Sequence, residues 1–126
     1  MSLSRTIRLS GLYCGNTYNA LSFSETGDTE VVVNESIPAG ESDVFPFAVT
    51  AANLKALFAW SDVMECTITM NTTDVILAAD TGVNVWADGS GAATPLPSGN
   101  TTTVTCDNTG GATAANVFIA ALSETP

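Results

Sequence analysis

Almost the whole chain is divided into short runs of apolar, or alternating apolar and polar, residues, each closed by Gly, Pro, Asn or Asp. Runs of this length leave no room for a long helix, and their regular spacing is that of a sandwich or barrel. The predicted strands are Thr6 to Leu9, Tyr18 to Phe23, Glu30 to Asn34, Asp43 to Val49, Leu54 to Trp60, Cys66 to Met70, Asp74 to Ala78, Val83 to Trp86, Thr101 to Cys106 and Asn116 to Leu122. The fold class expected is all-β: one antiparallel β-sandwich or jelly-roll-like domain of about eight to ten strands.

The punctuation is chemically specific. Thr26-Gly27-Asp28, Pro38-Ala39-Gly40, Asp88-Gly89-Ser90-Gly91 and Asn108-Thr109-Gly110-Gly111 read as turns, because Gly supplies positive φ and Pro fixes its own. Gly89 to Asn100 is the longest predicted loop, too short for a domain linker. The 126 residues are therefore read as a single domain, with residues 1–10 an N-terminal arm or first strand. Thr50 to Ala59 carries two signals. Ala, Leu and Lys favour a helix, whereas Leu54, Ala56, Phe58 and Trp60 fit the two-residue period of a strand, which the β context favours.

Alternation also predicts a core. Cys66, Ile68 and Met70 alternate with Thr67 and Thr69, and Val83 and Val85 with Asn84 and Trp86, as in half-exposed strands. Trp60, closing an apolar alternation, is expected to pack in the core. Trp86 is expected to be more open and is the candidate ligand contact, since exposed indoles stack on sugar rings. The last strand is apolar at successive positions, so Val117, Phe118, Ile119 and Leu122 are the expected oligomer interface.

Thirteen acidic residues against three basic ones give a net charge of −10, which repels a phosphate backbone and argues against nucleic acid as partner. Arg5 and Arg8 stand at the start, and Lys55 is the only basic residue after them. There is no apolar h-region after the N-terminal charges and no apolar run long enough for a membrane helix, so neither a signal peptide nor membrane insertion is expected. Cys14, Cys66 and Cys106, odd in number and without histidine, form no disulfide framework or zinc pattern; reduced thiols are expected, with Cys66 and Cys106 as small core residues. The N-x-[ST] triplets at Asn34, Asn71 and Asn100 are what a Thr- and Asn-rich chain produces without meaning.

The chain has no histidine at all, which rules out Ser-His-Asp and Cys-His hydrolysis. Lys55 is read as a solvated charge rather than a Schiff-base nucleophile. No P-loop or dinucleotide fingerprint occurs. Paired carboxylates of the glycosidase type need only two of the thirteen acids, but Asp28, Glu41, Asp88 and Asp107 lie in predicted turns, where such residues cap their own backbone. Glu25 to Asp28 and Asp80 to Asp88 are too sparse for a calcium loop. No catalytic residue, cofactor or metal is expected; the chain is read as a binding and assembly protein, not an enzyme.

From Leu54 onward a succession of features carries a resemblance. Leu54 to Trp60 ends at Ser61-Asp62, the Thr-rich Cys66 to Met70 ends at Asn71, and Asp74 to Ala79 leads toward Val85-Trp86. Pro95-Leu96, Thr103 to Thr105, Asn108-Thr109-Gly110 and the closing Val117 to Leu122 follow. This order resembles the small β-sandwich structural proteins of tailed bacteriophages that decorate or cement a capsid or sit at the head and tail junction. The resemblance covers a little over half the chain, without an invariant motif. It implies a homo-oligomer, a trimer, on the virion surface, made in the host cytoplasm and bridging major capsid protein subunits. Arg5 and Arg8 are the expected capsid-docking residues, and a carbohydrate-binding module or a tail component is the alternative.

Overall fold

The computed structural model describes the backbone of residues 3–13, 16–90 and 92–124, and side chains in 27–89 and 92–124. Ten strands follow in chain order: β1 (Leu3–Tyr13), β2 (Asn16–Gly27), β3 (Thr29–Ile37), β4 (Ser42–Val49), β5 (Leu54–Ser61), β6 (Thr67–Met70), β7 (Asp74–Leu77), β8 (Val83–Ala87), β9 (Thr101–Asp107) and β10 (Ala115–Ser123). Single 3₁₀ turns stand at Ala51–Asn53 and Asp88–Ser90. The double signal at Thr50 to Ala59 resolves into the first of these turns followed directly by β5, because pairing of β5 on both edges outweighs the local helix preference.

Eight strands form two antiparallel sheets, ordered β3-β10-β5-β8 and β4-β9-β6-β7. The pairings nest: β3 with β10, β4 with β9, β5 with β8 and β6 with β7. The chain thus folds as one long double ribbon wrapped into a sandwich, which is the strand order of a jelly roll.

Inward residues of the first sheet include Val33, Ile37, Leu57, Ala59, Trp86, Val117 and Ile119; the second contributes Phe47, Ile68, Met70, Val104 and Cys106. Register decides which side of each strand enters this core. Leu57 faces Trp86 across the β5–β8 pair, and Phe58 faces Val85, so β8 must turn Trp86 inward with Leu57. Trp86 is accordingly buried, its indole N–H donating to the Ala92 carbonyl at 3.3 Å. Trp60, paired with Val83 and Phe118, is on the outward face and only half-buried. The two tryptophans therefore exchange the roles that alternation alone assigns them.

Hydrogen bonds between loops define the two ends of the sandwich. At one end the β3–β4 loop meets the β9–β10 loop through Gly40 N–H to Asn108 O (3.0 Å) and Asn108 N–H to Glu41 O (2.9 Å), and Asp80 N–H reaches Met64 O at 2.7 Å. At the other, Ala51 N–H bonds Asn100 Oδ1 at 2.9 Å and Asn71 Nδ2 donates to Gly99 O at 2.8 Å.

The outward faces of the two sheets differ in chemistry. On the second sheet Val44, Thr105, Thr69 and Val75 form one register row, beside Thr67 and Thr103, a polar face with isolated valines. On the first, Phe58, Trp60, Phe118, Ala120 and Val85 lie together, and Val32 is 47% exposed.

β1 and β2 pair only with each other among the described residues, forming a separate two-stranded hairpin. β2 lies against β10, β5, β8 and the Asp88–Ser90 turn, on the outward face of the first sheet. Gly27 is the joint. A Cβ there would collide with the Ser123 carbonyl, to which Asp28 N–H donates at 2.9 Å, so only glycine lets the hairpin leave the sheet this closely. The predicted Thr26-Gly27-Asp28 turn is thus the bend where β2 passes into β3.

Candidate functional site

Catalytic chemistry needs converging polar groups, whereas Asp62, Asp74 and Asp107 are each engaged separately in holding loops and turns. Asp107 accepts from Thr109 N–H at 2.9 Å and the Thr109 hydroxyl at 2.6 Å, the Asx turn expected of it. Asp62 accepts from both the backbone N–H and the side-chain amide of Asn116, each at 2.8 Å. Lys55 is not freely solvated: it pairs with Asp88 at 3.4 Å and Glu124 at 3.8 Å, tying β5 to the Asp88–Ser90 turn and the end of β10. Among the described residues no three of His, Cys, Asp and Glu gather as metal ligands.

Asp74 is the one buried carboxylate among the described residues. It accepts from the Ser98 hydroxyl at 2.6 Å, Ser98 N–H at 3.1 Å and Asn71 Nδ2 at 3.3 Å. The Ser98 hydroxyl above all, with the Asn71 amide and Ser98 N–H, holds its carboxyl below the ordinary range against the opposing effect of burial. A depressed native pKa stabilises the fold above the ordinary aspartate value and loses that contribution as the pH falls below it. The stability deficit of Asp74→Asn should therefore be largest near neutrality and shrink below about pH 4, as denaturant titrations across pH would report; a pH-independent deficit would contradict it.

Cys66 and Cys106 are free and buried in the core, as expected of small core residues. Burial, then the neighbouring Cys66 and Asp43, pushes the Cys106 thiol up to about 12, and burial raises Cys66 as well. Neither can supply a thiolate near neutral pH. Cys14 lies outside the described residues.

Comparison with known protein families, with curated sequences and with solved structures finds no match. Function must therefore be argued from the surfaces.

Of the residues expected at a subunit interface, Val117 and Ile119 are fully enclosed in this chain's own core and Leu122 is 2% exposed. β10 is apolar on successive positions because it is a central strand between β3 and β5, with its outward side partly beneath β2. Of the four, Phe118 alone is half-buried, on the outward face, its ring meeting Phe58 edge-on at 6.0 Å between centroids. Trp86, the expected ligand contact, is turned into the core and only 9% exposed. Arg5 and Arg8 fall on β1, in register with Glu25 and Ser22; their side chains lie outside the described residues.

Two features escaped the sequence. The Phe58–Trp60–Phe118 face joins positions about sixty residues apart, which no local pattern can bring together, although the shared parity of Phe58 and Trp60 was visible. The uneven distribution of charge along the fold is the other. Glu41, Asp62, Glu65 and Asp80 are exposed on the loops of one end, where no basic residue stands, whereas Lys55 and the hairpin carrying Arg5 and Arg8 belong to the opposite end together with Asp28, Asp88 and Glu124.

Proposed function

We propose that this chain is a virion structural protein of a tailed bacteriophage, a decoration or cement protein that binds the major capsid shell from outside and stabilises it. The observation that carries this reading is the jelly-roll strand order of the two sheets, joined to an arm that bears two of the chain's three basic residues. Glu41, Asp62, Glu65 and Asp80 are exposed at the end away from the arm, while at the arm's end Asp28, Asp88 and Glu124 accompany the basic residues. The arm, richest in basic residues, is the part of this acidic chain suited to meet an acidic surface. A jelly roll is also a fold from which viral shells are built, which supports the reading by analogy of architecture. A net charge of −10 keeps many copies soluble and apart before they reach the particle.

Substituting Arg5 and Arg8 by Ala is expected to raise the concentration needed for half-occupancy of purified capsids by about tenfold and to flatten its dependence on salt. Occupancy unchanged by the double substitution would sink arm-first docking. The sugar-binding alternative rests on Trp86, now in the core, and on the acidic loops, which stay exposed; binding on a glycan array would favour it at the expense of the capsid reading.

A further inference from the structure

We propose that β3 is a pairing edge: the β3 strands of two copies of this chain join antiparallel about a two-fold axis at Val32, so that their two four-stranded first sheets run on as one.

A strand at the margin of a sheet keeps a row of backbone N–H and C=O groups without partners, a template for another strand, and natural sheets blunt such margins. β3, β8, β4 and β7 stand at the margins here. β4 carries Pro46 and a break in its ladder between Pro46 and Val49, while β7 has four residues and β8 five. β3 is different. Its nine residues include no Pro, Gly or basic side chain, and its register with β10 runs without a shift from Thr29 to Ile37. On the side away from β10, the backbone from Val31 to Ser36 makes no hydrogen bond among the described residues. This margin is also open to solvent: Val32 is 47% exposed, and Asn34, Glu35 and Ser36 are exposed beside it.

Charge selects the register. Copies of net charge −10 approach closely where their acids keep apart, and the acids of β3 are Glu30 and Glu35. Parallel pairing in register would set each glutamate on its own counterpart. Antiparallel pairing centred between Val32 and Val33 would set Glu30 against the partner's Glu35, and like charges directly opposite are destabilising. That register would also turn the core side of one sheet to the outer side of the other. Centring on Val33 sets Glu35 against the partner's Val31, a carboxylate beside an apolar group. Centring on Val32 avoids all of these. Val32 then meets the partner's Val32 on the outward face and Val31 meets the partner's Val33 on the inward one, while Glu30 faces Asn34 and Glu35 faces Thr29. Glu30 keeps the interaction it has within its own chain, because backbone groups carry the pairing. From Thr29 to Glu35 the two strands gain roughly six to eight ladder hydrogen bonds. The contact is isologous and closes at two copies. It stands independently of the capsid reading.

Analytical ultracentrifugation and native mass spectrometry on the full chain test it. The expected result is a dimer that grows no further, with a dissociation constant in roughly the micromolar range. Val32→Glu sets two carboxylates face to face on the axis and should weaken association by about tenfold or more. Mixing Val32→Glu with Val32→Lys should restore a dimer holding one copy of each, which variants that had failed to fold would not give. In a Cys14→Ser background, Val32→Cys should join two chains through a short bis-maleimide, whereas Val75→Cys, exposed on the second sheet, should not. A wild type that stays monomeric up to about 1 mM, association that Val32→Glu leaves unchanged, or equal cross-linking at the two positions would each overturn the proposal.

Discussion

Replacing Phe47 with Ala is expected to lower the free energy of unfolding by about 3 to 5 kcal/mol, the range for truncating a buried aromatic residue. Phe47 is fully enclosed and among the largest side chains that are. It sits on β4, an edge strand held by hydrogen bonds to β9 alone, where the ladder is interrupted by the irregularity between Pro46 and Val49. With few backbone bonds on that stretch, insertion of the ring between the sheets is what fixes the strand. Truncation leaves a cavity that surrounding Ile, Met and Val side chains fill only in part. Val44 lies on the same strand, 61% exposed on the Thr-rich face, and Val44→Ala should stay within about 0.5 kcal/mol of wild type. Urea denaturation of both variants checks the pair. Equal effects would mean that β4 presents its faces the other way round.

Asn108→Asp should be nearly as damaging, by about 3 kcal/mol or more at neutral pH, since it buries a charge among acceptors. The Asn108 side chain is fully buried, and its amide Nδ2 donates to the carbonyls of Ile37 at 3.1 Å, Pro38 at 3.3 Å and Thr113 at 2.9 Å. One amide thereby joins the end of β3, the β3–β4 loop and the β9–β10 loop. Its Oδ1 has no hydrogen-bond partner and lies against Gly111, where any Cβ would collide with it. A carboxylate has no proton to offer the three carbonyls. Protonation restores one donor, so the deficit of Asn108→Asp should narrow on acidification, while that of Asn108→Ala, which lacks both charge and donor, should not acquire this dependence. Thermal unfolding of the two variants at neutral and acid pH separates them. Identical pH profiles would remove the role assigned to the amide.

These residues mark how far the sequence could be read. Each predicted strand overlaps an observed one, with Cys66 and Ala78 just beyond the ends of β6 and β7, and the long loop before β9 and the strand at Leu54 follow from alternation and turn residues alone, because those signals are local. Cys66, Ile68 and Met70 were rightly placed inside for the same reason. Trp60 and Trp86 were exchanged because alternation gives the two sides of a strand without saying which side is inner. That choice belongs to the pairing of β5 with β8. Asn108 looked like one more turn residue, since nothing local announces that three carbonyls from distant segments converge on it.

The surfaces on which a function rests divide in the same way. The charge balance, the absence of histidine and the uncharged stretch from Leu9 to Ser22 are properties of the sequence, and they limit the chemistry open to the chain whatever its fold. Only the tertiary structure decided that Val117 and Ile119 of β10 are spent inside, that Phe58, Trp60 and Phe118 share the outward face of the first sheet, and that Glu41, Asp62, Glu65 and Asp80 gather at one end. A strand's period is fixed by its own backbone, whereas its neighbours are chosen by the whole sandwich closing at once, with the first strand of the jelly roll pairing with the last.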